Sequence, residues 1–351
     1  MTHFVEEFPG RIIKTDKGEF LYFGGTAYLG LQTQLEFQEL FIDNIKKYGT
    51  NYGASRKSNI RFSIYEKVEQ YLSKLVGSES CVTLSSGYMA SQLVSRFFTS
   101  EEYTCYHTPL THASLFQAEQ QFYESYEQLQ EDLNKNPKNT IPIVLLDSID
   151  FIGNNYPDFN SLKKMDLSTT ILVVDDSHGL GVLGAQGEGI FKILKQLNAK
   201  ELIVCGSLGK GFAIQAGVIF GSSKRIKALT NTSFFGGASP ASPASLATLL
   251  EAEAIYTIQR KKLFENNNYL SKKLSNYSLF TKAGNHPTFT FMDEKLTEYL
   301  FKNNILVTSF NYPEKNSPLM SRIVVSAHHT KKDLDVLVKI IDSYILLSDK
   351  S

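Results

Sequence analysis

Short apolar runs separated by helical stretches constrain this chain more than any other feature. Val82-Thr83-Leu84, Ile143-Val144-Leu145-Leu146, Ile171-Leu172-Val173-Val174, Leu202-Ile203-Val204 and Val218-Ile219-Phe220 are brief and almost wholly apolar. Such runs suit strands buried on both faces, which a parallel sheet covered by helices provides. Between several of them apolar residues recur at helical spacing, as they also do earlier at Ile64, Val68, Tyr71, Leu72 and Leu75. The alternation predicts an α/β fold with a mostly parallel central sheet flanked by helices. A hairpin is expected ahead of it, with Arg11–Lys14 and Phe20–Phe23 joined by a turn at Asp16-Lys17-Gly18. Residues 34–47 read as a helix, and the Gly-, Asn- and Ser-rich stretch 48–61 as a loop. Beyond Pro240 and Pro243 the pattern predicts a long helix at about 244–275. A strand at 288–292, a helix at 295–302, strands at 305–310 and 322–326 and a final helix at 331–347 follow. At 351 residues the chain is long for a single core. It divides into an N-terminal segment (1–47), a large domain (48–240) and a smaller C-terminal α/β domain (241–351).

Composition narrows the partners. Lys+Arg and Asp+Glu are equal at 36 each. A neutral balance gives no electrostatic reason to expect nucleic acid or an anionic membrane. The opening MTHFVEEFPG has no apolar run, and no stretch has the length of a membrane span, so the cytoplasm is the expected location. Cys81, Cys105 and Cys205 are isolated and lack metal-ligand spacing. They read as small buried apolar residues, and no metal is expected.

Four segments carry candidate chemistry. Val173-Val174-Asp175-Asp176-Ser177-His178-Gly179 ends an apolar strand in two acids and a histidine, at the place where open α/β sheets bind ligands. An acid there can pair with a positively charged ring nitrogen. In Leu202–Gly211, a strand runs into a loop that holds Lys210 between two glycines. A lysine leaving an apolar strand for an enclosed pocket suits Schiff-base formation. Leu84-Ser85-Ser86-Gly87-Tyr88 passes from strand to helix and exposes free N–H groups suited to a phosphate. His112 sits at a loop-to-helix start and can stack on a planar ring. Each segment alone also reads as an ordinary loop, cap or solvated lysine. Taken in order, they supply a phosphate site, a ring contact, a carboxylate for a pyridine nitrogen and an amine, all of which pyridoxal 5'-phosphate (PLP) requires. Gly179-Leu180-Gly181-Val182-Leu183-Gly184 also matches the dinucleotide fingerprint G-x-G-x-x-G. It does not join a strand directly to a helix, so its context argues against a nicotinamide site.

These segments resemble fold-type I PLP-dependent transferases, and more narrowly the alpha-oxoamine synthase family. The resemblance covers most of the chain. It runs from Ala27-Tyr28-Leu29-Gly30-Leu31 through Ser86-Gly87-Tyr88, His112-Ala113-Ser114-Leu115, Asp175–Gly179 and Gly209-Lys210-Gly211 to Arg322–His329. The segment 173–189 looks closest to the 8-amino-7-oxononanoate synthase branch. The resemblance implies that Lys210 carries PLP and shuttles protons, and that Asp175 holds the pyridinium proton. His178 would bond the phenolic oxygen and His112 would stack on the ring. Ser86, Gly87, Tyr88 and Ser207 would bind the phosphate. Arg322 would grip the substrate carboxylate, near a substrate-binding position at Thr26. The implied reaction is decarboxylative condensation of an amino acid, here L-alanine, with an acyl thioester such as pimeloyl-CoA or pimeloyl carrier protein, giving an alpha-aminoketone on the route to biotin. A homodimer is implied as well.

The sequence departs from the family pattern in four places. Where the family has Glu-Gly-x-x-Ser-Met-Asp/Glu-Gly-Asp, this chain has Asp147-Ser148-Ile149-Asp150-Phe151-Ile152-Gly153-Asn154-Asn155. Gly236-Gly237-Ala238-Ser239-Pro240 lacks the family's threonine hydroxyl. Thr26 stands at the family's first Asn, and Tyr65 at its histidine. These changes surround the acyl-substrate and phosphate regions. Arg56, Lys57 and Arg61 are either a binding patch for the phosphates of a CoA-like donor or a solvated basic loop. Aminotransfer on the same cofactor, a non-catalytic PLP-binding protein and, last, a dehydrogenase are the competing readings.

Overall fold

The computed structural model describes residues 2–116, 123–311 and 319–348. Its strands are β1 (Ile12–Thr15), β2 (Gly18–Phe23), β3 (Ser80–Leu84), β4 (Tyr103–His107), β5 (Ile141–Asp147), β6 (Ile171–Asp175), β7 (Glu201–Ser207), β8 (Gly217–Gly221), β9 (Thr288–Phe291), β10 (Ile305–Asn311) and β11 (Leu319–Val324). The chain divides into two compact units. Residues 39–150 and 154–253 form the larger, and residues 1–38, 151–153 and 254–351 the smaller. The expected segments 1–47, 48–240 and 241–351 divide the chain at other points. The first observed boundary lies inside the helix Leu35–Tyr48. The last falls where the helix Pro243–Glu251 gives way, across Ala252, to the helix Glu253–Leu274. The single helix expected at 244–275 is therefore two.

In the larger unit the sheet runs β3-β8-β7-β6-β5-β4. Strands β7, β6, β5 and β4 are parallel, while β8 is antiparallel to both β7 and β3. The central strands are the apolar runs, and Ile143–Leu146 and Leu172–Val174 are fully buried. Burying each such side chain stabilises the fold by about 1.5–3 kcal/mol. Strand β4 was not expected, because Tyr103-Thr104-Cys105-Tyr106-His107 lacks an apolar run. Among the described residues it pairs only with β5, at the edge of the sheet. The parallel register sets Asp147 beside Asp175 and Asp175 beside Cys205, so these strands end level at one edge.

The helix Gly87–Phe97 packs on this sheet through the buried Ala90, Leu93 and Val94. Ser86 caps it, its hydroxyl accepting the Met89 N–H at 3.2 Å. The cap lies hard against β8, and a Cβ built at Gly217 would stand 2.0 Å from the Ser86 carbonyl oxygen. Only glycine fits there.

The smaller unit contains the sheet β1-β2-β10-β11-β9. The predicted hairpin is β1–β2, and β10 joins β2 in parallel. Strand β11 lies antiparallel between β10 and β9, with Arg322 opposite Thr308 and Thr290. The helices Glu294–Lys302 and Lys331–Ser348 follow the expected pattern, the first capped by Asp293 through the Leu296 N–H at 3.1 Å. Among the described residues no helix is long and apolar enough to cross a membrane.

The Gly217 contact gives a test. Gly217→Ala forces a methyl into a backbone carbonyl and should cost about 1–3 kcal/mol, as overpacking does. Gly221→Ala, in the same strand with nothing nearer than 3.7 Å, should leave the thermal midpoint unchanged or slightly raised. Equal midpoints for the two variants would refute the packing argument.

Candidate active site

The level strand ends of the larger unit gather most of the expected residues. Asp175 closes β6. Its Oδ2 accepts the hydroxyls of Ser91 at 3.2 Å and Ser114 at 3.1 Å, and its Oδ1 accepts the Ser177 N–H at 2.9 Å. A carboxylate offers about four acceptor positions, so this arrangement leaves room for one further N–H donor. Ser177 Oγ accepts the Ser207 N–H at 2.8 Å, tying the end of β7 to the residues after β6. Lys210 lies in the loop after β7, with its Nζ 2.7 Å from His178 Nε2. A nucleophilic amine and an imidazole thus share one hydrogen bond.

His112 stands above the same edge. Its Nδ1 accepts the Ser114 N–H at 3.1 Å, and its own N–H donates to Asp147 Oδ2 at 2.5 Å. Burial lowers the His112 pKa; Asp175 opposes that shift and Lys210 adds to it. The shift favours the neutral imidazole, a planar ring suited to stacking. Asp147, at the end of β5, is pushed well above the usual carboxylate range by burial and by Asp175.

The phosphate-type groups sit alongside. A Cβ at Gly87 would lie 2.7 Å from both the N and the Cβ of Ser207, so the helix start and the end of β7 meet in close contact that only glycine allows. Ser207 Oγ accepts the Gly209 N–H at 3.1 Å, and Tyr88 is exposed beside it. The first N–H groups of a helix next to a hydroxyl form an anion cradle. The cradle, the imidazole of His112, the carboxylate with room for an N–H and the amine together fit PLP.

Thr26 and Arg322 belong to the smaller unit. Thr26 is exposed. Arg322 lies on β11, and its Nη2 donates to Met320 Sδ at 2.7 Å. The basic loop is more engaged than its sequence suggests. Arg56 forms a two-pronged ion pair with Glu69 at 2.8 and 3.1 Å and lies 4.0 Å over the Tyr65 ring. Lys57 donates to the Thr232 carbonyl at 2.9 Å and Arg61 to the Ser58 carbonyl at 2.7 Å. Residues 179–189 start no helix and fold back through the Leu180–Glu188 bridge. Among the described residues no group of His, Cys, Asp or Glu could hold a metal ion.

Sequence reasoning overlooked the supports of the site. Ser91 lies on the buried face of the helix Gly87–Phe97, and buried polar residues on such a face were the available signal. It also left Asp176 without a role. That side chain is fully buried, accepting the Ser148 hydroxyl at 2.6 Å and the Ile190 N–H at 3.0 Å. Gly179 and Gly189 make room for it, since a Cβ at either would fall 2.1 Å from a carboxylate oxygen.

Residues 23–341 match the family Aminotransferase class I and II. The chain belongs to that family. An 8-amino-7-oxononanoate synthase of Thermosipho melanesiensis is 28% identical over 353 residues, covering 93% of this chain and 90% of the relative. A serine palmitoyltransferase of Sphingobacterium spiritivorum is 26% identical over 348 residues, covering 93% and 87%. In structure, the chain resembles a serine palmitoyltransferase from S. paucimobilis solved with a bound PLP–myriocin aldimine. The TM-score is 0.82 at 18% identity, over 97% of this chain and 92% of that one. This member of the aminotransferase class I and II family therefore has the fold-type I architecture of PLP-dependent enzymes, and the relatives it is similar to are alpha-oxoamine synthases.

Burial pushes the Asp176 carboxyl up to about 7, against the bonds from Ser148 and Ile190. The folded protein thus keeps a proton that the unfolded chain, with an aspartate pKa of about 3.9, gives up. The stability this supplies is complete below pH ~4 and is lost as pH rises through ~7. Asp176→Asn removes the dependence. The stability difference, variant minus wild type, should rise with pH across that window by up to about 1.4 kcal/mol per pH unit. Urea denaturation at several pH values checks this, and parallel curves for the two proteins would contradict it.

Proposed function

We propose that this protein condenses L-alanine with a pimeloyl thioester, on CoA or on a carrier protein, releasing the thiol and carbon dioxide to form 8-amino-7-oxononanoate for biotin synthesis. The observation that carries the reading is the amine of Lys210 bonded to His178 beside the buried carboxylate of Asp175. The 8-amino-7-oxononanoate synthase relative supports the choice of substrates.

PLP, when bound, supplies an electron sink for negative charge at the α-carbon of the amino acid. The chain does the rest. Lys210 Nζ would hold the cofactor covalently and, when free, would move the α-proton. Asp175, fixed by two serine hydroxyls and an N–H, would hold a proton at the ring nitrogen. His178, within reach of Lys210, would bond the phenolic oxygen. His112 would stack on the ring in its neutral form. The N–H groups of Gly87 and Tyr88, with the hydroxyls of Ser86 and Ser207, would hold the phosphate. Arg322 would take the carboxylate of the amino acid through its planar fork of donors, and Thr26 would bind substrate. The reading extends to a homodimer in the cytoplasm.

The serine palmitoyltransferase relative, nearly as similar as the first, favours one second reading: L-serine with a long-chain acyl thioester. Purified wild type and Lys210→Ala, each with PLP, separate the cases. Wild type should show a borohydride-reducible visible band and release free CoA from L-alanine plus pimeloyl-CoA. Lys210→Ala should lose the band, and its CoA release should fall by about 10²–10⁴-fold, the usual share of a general acid–base group. CoA release from L-serine plus palmitoyl-CoA alone would replace the substrates while keeping the chemistry. Conversion of a keto acid to an amino acid without CoA release would replace the reaction by aminotransfer.

A further inference from the structure

Phe151 stands at the centre of the segment that departs most from the family pattern. It belongs to the smaller unit, as Arg322 does. The guanidinium carbon of Arg322 lies 3.8 Å from the centroid of the Phe151 ring. At that distance the planar cation stacks on the aromatic face. His286, fully buried, meets the ring at its edge, with centroids 5.7 Å apart and planes at 76°. The backbone works to place the ring. Phe151 has φ 62°, a left-handed conformation that a bulky residue rarely adopts. Thr290 Oγ1 donates to the Phe151 carbonyl at 2.9 Å and holds it there. Thr290 is also the β9 residue opposite Arg322 in the β11 register. One threonine thus ties the carrier of the ring to the strand that carries the arginine.

We infer that Phe151 is a positioning residue for the amino-acid carboxylate: its ring fixes the plane of the Arg322 fork. A guanidinium offers its N–H donors only in its own plane, and two parallel bonds to a carboxylate need that plane set. An aromatic face against the cation fixes the plane without taking an in-plane donor, which a carboxylate partner would. The family pattern has serine where Phe151 stands, and serine has no face to offer. This inference rests on the proposed role of Arg322.

The test is steady-state kinetics of the full-length, PLP-loaded protein with L-alanine and pimeloyl-CoA. Phe151→Leu should raise KM for L-alanine about 3–30-fold, the range a partly desolvated cation–π contact supports. The change in kcat and in KM for the thioester should stay much smaller, and Phe151→Tyr should restore the L-alanine KM. A purely structural role would instead lower kcat or PLP occupancy as well as raising KM. If the leucine variant does not fold, Phe151→Met, which keeps bulk without a ring face, must show the same split. In an Arg322→Lys background, Phe151→Leu should add little. An unchanged L-alanine KM in Arg322→Lys would overturn the carboxylate role of Arg322 itself. A raised KM in Arg322→Lys with an unchanged KM in Phe151→Leu would leave that role standing and overturn the inference about Phe151.

Discussion

Asp175 and Asp176 are consecutive acids at the end of a fully buried strand, and the fold has to satisfy both. Successive residues of an extended strand point to opposite faces. One carboxylate therefore meets Ser91 and Ser114, and the other meets Ser148 and the Ile190 N–H. A buried carboxylate left unpaired would cost several kcal/mol, so each face carries its own donors. Gly179 and Gly189 answer to Asp176 rather than to any nucleotide, which gives the glycine-rich run a cause. The hydrogen bond from the Ser207 N–H to Ser177 then carries the end of β7 into register with the acids, and Lys210 follows three residues later.

The same closeness shapes the anion cradle. Gly87 and Gly217 let a helix start and two strands approach to distances that no side chain tolerates. The free N–H groups and the Ser207 hydroxyl gain their convergence from that packing. Ser207 of the cradle and Asp175 sit on adjacent strands of one sheet, so their separation is set by the hydrogen-bonded ladder. Rigid elements hold site geometry more tightly than loops do.

Much of this was legible in the sequence. The buried strands announced themselves because their runs are apolar throughout, and the acids, the lysine and the Ser-Gly step stand at their ends. Strand β4 was missed because an edge strand built from Tyr, Thr, Cys and His has no such run. The break at Ala252 was missed because Glu251–Ala254 continues a helical pattern without Gly or Pro, and nothing in the structure explains it. Ser91 was hidden for another reason. Its partner lies 84 residues away, and no local pattern records a contact made by tertiary packing.

The departures from the family pattern separate by what they touch. Tyr65, at a histidine position, is absorbed by the fold: it donates to the Ala241 carbonyl at 2.8 Å, and Arg56 stacks on it. Arg56 is then spoken for by Glu69, with both side chains largely buried. Breaking that pair to reach a thioester's phosphates would strand a buried glutamate, which is strongly unfavourable. Of the loop's three basic residues, Lys57 and Arg61 are thus the ones an acyl donor can recruit, since each holds only carbonyl oxygens through flexible arms. The residues that resemble the family most closely lie mostly at or within a few residues of strand ends and a helix start, and those that depart lie mainly in loops. The residues proposed to hold PLP belong to the first set, and the second surrounds the regions proposed for the acyl substrate and the phosphate. That is why the sequence speaks clearly about PLP and much less clearly about the acyl chain.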